Sequence, residues 1–171
     1  AVQVLSHIRY TQHLAMIDDK FDPNNTAWFM QKWQIRFRLA GGEVTYAIYW
    51  DKNTNRNVGP NADEIAVDTI TGKRMQDSAT TTDVKMNLTT AYGITNIIDT
   101  CDIADSSLFT NSLGVVSFDF LGRPYRGIGN SLIGNSQYTF LQTADCDITL
   151  VGADGNATIR VTPETGYARI I

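Results

Sequence analysis

The sequence predicts an α+β fold: an N-terminal helix packed on antiparallel β-sheet, with helix and strands segregated along the chain. Three observations carry this. The first 21 residues contain no proline or glycine and place apolar residues at helical spacing. From Gln34 onward apolar residues alternate with polar ones at the period of a strand. Turn signals, not helical stretches, separate those strand-like runs, which excludes the βαβα alternation of a doubly wound sheet.

Residues 1–19 read as the helix. One apolar line runs through Ala1, Leu5, Ile8 and Ala15 with Val4 beside it; a second runs through Tyr10, Leu14, Ile17 and Phe21. At about 100° per residue the two lines fall on separate sides, and a helix lying on a core needs only one apolar face. Two faces fit either a helix buried deep in its own fold or one that also meets a partner. Asp22-Pro23-Asn24-Asn25-Thr26 breaks this helix and supplies capping side chains for a short second one, Ala27 to Lys32, presenting Trp28, Phe29 and Trp33.

Strands follow. Ile35, Phe37 and Leu39 alternate with Arg36 and Arg38, and a Gly41-Gly42 turn leads to Val44, Tyr46, Ile48 and Trp50. Ile65 and Val67 form a short strand before the Gly72-Lys73 turn, and Val84, Met86 and Leu88 alternate again. Residues 89–111 carry no clear period. Val115 to Phe120 is a strand closed by Gly122-Arg123-Pro124, and residues 126–136 read as a glycine-bearing loop. At the end, Ile148 to Val151, the turn Ala153 to Asn156, Thr158 to Thr162, the turn Pro163 to Gly166 and Tyr167 to Ile171 form the last strands. The 171 residues suit a single domain, 1–171, with residues 34–171 mostly antiparallel strand.

Composition narrows the function. A net charge of −4 and a pI near 5.0 disfavour general binding to phosphate backbones, so no nucleic-acid partner is expected. Lys32, Arg36 and Arg38 read as a solvated strand face in preference to a basic patch. No apolar run reaches the roughly 20 residues that span a bilayer, and no secretory signal is present. The chain opens on Ala1, so a preceding segment is expected.

No catalytic set stands out. His7 and His13 are six residues apart and do not share a helix face, and neither HExxH nor GxSxG occurs. Gly127-Ile128-Gly129 lacks the lysine and spacing of a phosphate loop. Asp51, Asn53 and Asn55 repeat the first positions of a calcium loop, but Arg56 stands where glycine is needed and Ala62 where the bidentate glutamate belongs. A polar turn is the reading preferred over calcium, and no cofactor is expected. Cys101 and Cys146 are free thiols in a reducing compartment or a disulfide in an oxidising one, and sequence alone leaves both open.

Three segments carry a family resemblance. Ile148-Thr149-Leu150, Asp154-Gly155, Ile159-Arg160-Val161 and Pro163-Glu164-Thr165-Gly166-Tyr167-Ala168-Arg169 resemble the closing strands and Thr-Gly turn of H-type minor pseudopilins of type II secretion and related type IV minor pilins. Val116 to Pro124 resembles that family's strand ending in Gly-Arg-Pro, and Val4 to Ala15 resembles the latter half of the long pilin helix. The family's leader, Gly-Phe cleavage site and glutamate-bearing apolar helix are not in this sequence.

The resemblance implies that residues 1–21 are the remaining half of the long helix and that the missing half anchors the subunit in the inner membrane. It also implies a periplasmic or cell-surface location, a Cys101–Cys146 disulfide, and a structural rather than enzymatic role. Other pilin or pseudopilin subunits would be the partners, packing through Val4, Leu5, Ile8, Tyr10, Leu14 and Ile17. The alternative is an extracellular β-rich adhesin or carbohydrate-binding module using Trp28, Trp33 or Trp50.

Overall fold

The protein is described here from a computed structural model, which describes residues 1–18, 20–52, 60–76, 83–101, 111–126 and 140–171. An N-terminal helix α1 (Val2–Ile17) is followed by a single 3-10 turn (Trp28–Met30) and the hairpin β1 (Trp33–Ala40) and β2 (Glu43–Trp50). A second 3-10 turn (Val84–Met86) runs into the short helix α2 (Leu88–Tyr92) and β3 (Ile94–Asp99). Then come β4 (Ser112–Phe118), β5 (Pro124–Arg126), β6 (Cys146–Gly152), β7 (Gly155–Val161) and β8 (Ala168–Ile170).

These strands make two antiparallel four-stranded sheets, ordered β2-β1-β4-β5 and β3-β6-β7-β8. The fold is thus α+β, with one N-terminal helix and two antiparallel sheets. The chain visits the sheets alternately: first sheet, β3 in the second, β4 and β5 back in the first, then the second to the end. The alternating residues of the first hairpin face the core as their period requires, with Ile35 opposite Ile48 and Phe37 opposite Tyr46. The core gathers these side chains with Val116, Phe118, Ile148, Leu150, Ile159 and Val161 from both sheets, and Val4, Ile8 and Ala15 from α1.

Two expectations are corrected. The stretch Val84–Met86–Leu88 is not a strand, because capping chemistry wins over the alternation. The Asp83 carboxylate accepts from the Lys85 N–H, Asn87 Oδ1 accepts from the Thr90 N–H, and Gly93 at φ 66° closes α2 in the left-handed conformation. Met86 and Leu88 are still buried, but from helical turns. The second correction concerns Lys32 and Arg36, which are buried rather than part of a solvated face. β1 and β4 are central strands covered on both sides, so Gln34, Arg36 and Ser117 are as inaccessible as Ile35, Phe37 and Val116.

Smaller differences concern extents. The expected helix over Ala27 to Lys32 is one 3-10 turn, and Trp33 already opens β1. Ile65 and Val67 make isolated bridges to Tyr49 and Arg74 instead of a strand. Residues 89–111, which carry no sequence period, contain α2 and β3. Asn53 to Asn57 of the calcium-like turn, the Gly127-Ile128-Gly129 motif and most of the 126–136 loop lie outside the described residues. Among the described residues no helix is long and apolar enough to cross a membrane, and no three His, Cys, Asp or Glu side chains converge on a metal position.

Candidate assembly surface

Helix α1 is held by one side. Val4, Ile8, Thr11 and Ala15, at offsets of four, three and four, are its buried residues and define a single stripe on the core. Thr11 sits in that stripe by returning its hydroxyl to the His7 carbonyl at 2.7 Å. The first apolar line of the sequence supplies Val4, Ile8 and Ala15 of this stripe, and the second runs along one flank of it. Leu5 on one flank and Tyr10 and Leu14 on the other are half-buried against the core. Ile17 is 61% exposed, beyond the edge of the sheet. Val2, Ser6, Arg9, His13 and Met16 are all exposed and recur at offsets of four, three, four and three, so they form a second stripe opposite the first.

Polar clamps fix the helix to the sheets. Arg9 donates to the Ala168 carbonyl from Nη2 at 2.7 Å, and Trp33 Nε1 donates to Asp18 Oδ2 at 2.9 Å. Lys20 pairs with Asp18 at 2.5 Å and lies 3.3 Å from the Trp50 ring centroid. Gln12 makes the central clamp: its Nε2 donates at 2.8 Å both to the Gly122 carbonyl and to the Thr165 carbonyl. The helix, the Gly-Arg-Pro turn and the Thr-Gly turn therefore meet at one amide. Gly166, at φ 64°, is required there, since a Cβ would lie 2.6 Å from both the Gly122 carbonyl oxygen and the Gln12 amide.

The Gly-Arg-Pro turn has its own organiser, Asp119, which sequence reasoning did not single out. Its buried carboxylate accepts from the Leu121 and Arg123 N–H groups at 3.0 and 2.9 Å, from Arg123 Nε at 2.9 Å and from the Tyr125 hydroxyl at 3.1 Å. The available signal was an aspartate two residues before the turn glycine's neighbour, a position that favours a side-chain-to-backbone turn. The turn carries Phe120 and Leu121 outward.

An aromatic edge follows from this geometry. Phe21 packs edge-on to Trp28 with ring centroids 5.3 Å apart, and Trp28 meets Phe120 at 5.5 Å. Phe21, Phe120, Leu121, Met16 and Ile17 are all exposed large apolar side chains. Met16 borders the same turn, since a Cβ on Gly122 would lie 2.9 Å from its sulfur. Of the three tryptophans, Trp33 is buried, Trp50 lies under the Lys20 ammonium, and Trp28 is half-buried within the aromatic cluster. The cavity beside Trp28 and Trp33 measures only about 20 Å³.

Lys32 points into that cavity wall. It is 3% exposed, its Nζ donates to the Phe29 carbonyl at 2.9 Å, and it sits 4.4 Å from the Tyr125 ring centroid. Burial pulls its ammonium down to about 8, against a smaller opposing effect of Asp119.

Cys101 and Cys146 form a disulfide with a Cα–Cα distance of 4.6 Å. Asp99 pairs with Ile148, and the Thr100 N–H donates to the Asp147 carbonyl. Continuing that register places the two cysteines opposite each other as a non-hydrogen-bonded pair, where Cα atoms approach to about 4.5 Å. The bridge closes the loop that carries β4 and β5 into the other sheet.

No family model, curated protein or solved structure matches this chain significantly.

Proposed function

We propose that this chain is a structural subunit, a minor pilin or pseudopilin of a type II secretion or type IV pilus-like filament, that acts by packing and not by catalysis. The observation that carries the reading is the two-sided helix: α1 commits the stripe Val4, Ile8, Thr11, Ala15 to its own core and leaves the opposite stripe, with Met16 and Ile17, exposed apart from the bond Arg9 makes to Ala168. A subunit that shares its helix between its own domain and a neighbour needs that division. The convergence of helix, Gly-Arg-Pro turn and Thr-Gly turn on Gln12 supports it, because these are the three segments that resemble the pilin family. In this reading the helix continues into the inner-membrane anchor, the disulfide suits the oxidising periplasm or cell surface, and the neighbours are other pilin-like subunits.

The test separates folding from assembly. Ile8→Asp places a charge in the sealed core and abolishes folding, whereas Ile17→Asp leaves the thermal midpoint within about 2 °C, as expected of an exposed site. In cells carrying the full-length gene, Ile17→Asp together with Met16→Asp reduces the surface filament or the secretion it supports. Wild-type filament and secretion levels in a stable double variant would count against the assembly reading.

A further inference from the structure

A cleft of about 300 Å³ opens on the far flank of α1, between its first turns, the 68–75 segment and the turn that starts at Asp83. It is of the size that accommodates a small ligand or a single large side chain. Its polar groups are not randomly oriented. Gln3 donates from Nε2 to the Tyr46 hydroxyl at 2.7 Å and to the Lys85 carbonyl at 2.9 Å, and its Oε1 accepts from the Tyr92 hydroxyl. The Tyr46 hydroxyl also lies 2.7 Å from His7 Nδ1, and the imidazole tautomer sets which of the two donates. Burial lowers the His7 pKa from its ordinary value against the opposing charges of Asp68 and Asp83, with Lys85 a smaller lowering influence.

Burial thus works against the charged imidazole that would neutralise the carboxylates of the cleft. Asp68 is ionised, held below its ordinary range by the Ile70 N–H and the Thr71 hydroxyl at 2.8 and 2.9 Å, and it keeps free lone pairs. Asp83 is the telling residue. It is only 5% exposed, and among the described residues one of its carboxylate oxygens accepts a single hydrogen bond, from the Lys85 N–H at 3.1 Å, while the other has no partner. That second oxygen is not sealed from solvent, so it is open to a donor entering the cleft it lines. Among the described residues no ion pair is made to Asp83, and the neighbouring Lys85 is exposed. The walls add an aliphatic and aromatic surface from Met75, Ile70 and Tyr10.

We infer that this cleft binds an organic cation with an apolar stem, a guanidinium or alkylammonium group, with Asp83 at its end and Asp68 at its mouth. A flat guanidinium matches best, because it donates to two carboxylates at once and slides its aliphatic stem along Met75 and Tyr10. The inference is independent of the filament reading. The source is either an arginine or lysine side chain of a partner protein or a free small cation.

The experiment titrates the folded protein with argininamide and with citrullinamide, which has nearly the same shape but no charge, following the His7 ring and the Ser6 and Ile70 amides by NMR. Saturable shifts with argininamide, at least tenfold weaker with citrullinamide, and a tenfold or larger loss of affinity in Asp83→Asn and in Asp68→Asn are expected. Asparagine still caps the Lys85 N–H, so both variants are expected to fold, as checked by their thermal midpoints. Tighter binding of an acetyl-Gly-Arg-Gly amide than of argininamide assigns the cation to a polypeptide, and the reverse assigns it to a small molecule. No saturable shift with either ligand, equal binding of citrullinamide, or unchanged affinity in both variants overturns the inference.

Discussion

Removing the disulfide with Cys101→Ala/Cys146→Ala tests how much closing the loop that carries β4 and β5 contributes to stability. The bridge spans a sequence separation of 45 and closes a loop that includes β4 and β5. For a loop of that length the chain-entropy account gives a loss of roughly 13 cal/mol/K, or about 4 kcal/mol at 25 °C. The cysteines occupy a register position where strands already approach closely. A total stability of about 5–15 kcal/mol would then fall by a large fraction. Urea unfolding of the oxidised protein and of the double alanine variant is the assay, and the midpoint in a thermal scan is expected to fall by about 8–16 °C. A stability difference below about 1 kcal/mol with an unchanged urea dependence would refute the reasoning, because the loop would already be constrained without the bridge.

Other outcomes follow from single side chains. Lys32→Met is expected to stabilise the protein at pH 7. Its ammonium is lowered to about 8 in the folded state from an ordinary 10.5, so the folded state bears the full cost of the charge below pH 8 and sheds it as pH rises toward 10.5. The advantage of the methionine variant, up to about 3 kcal/mol before subtracting the lost bond to Phe29, should shrink across that window. Equal differences at pH 7 and pH 10.5 by urea unfolding would contradict it. Asp119→Ala leaves two turn N–H groups and the Tyr125 hydroxyl without their acceptor, and a loss of about 3 kcal/mol or more in the same assay is expected; a loss under 1 kcal/mol would mean the turn holds itself.

Much of the fold was legible because its signals are local. The α1 helix, the first hairpin and the last three strands follow from period and turn residues alone, with Gly41-Gly42 and Asp154-Gly155 at the reversals. Val84 to Leu88 was misleading because alternation of apolar residues over five positions fits one and a half helical turns as well as a strand, and the deciding groups are the polar caps Asp83, Asn87 and Gly93. Arg36 was misread because burial on the second face of a central strand depends on which strands lie beside it, and Lys32, just before β1, because its ammonium turns back onto the Phe29 carbonyl and the Tyr125 ring, neither of which the sequence encodes locally.

The first apolar line on α1 supplies most of the buried stripe through Val4, Ile8 and Ala15, and the second flanks it, half-buried at Tyr10 and Leu14 and exposed at Ile17. The uncovered face is the mixed row Val2, Ser6, Arg9, His13, Met16, whose polar members hid it from an apolar count. Gln12 and Asp119 carried no sequence signal of comparable strength, since their importance comes from carbonyls and N–H groups more than a hundred residues away or in a single tight turn.

The central claim, that α1 is the lower part of a shared filament helix, is tested most directly by reading the coding sequence upstream of Ala1. The account predicts a short basic leader, a Gly-Phe-type cleavage site and about 20 apolar residues with one glutamate, continuous in helical phase with Val4 and Ile8. A conventional secretory signal peptide with no such helix would contradict it.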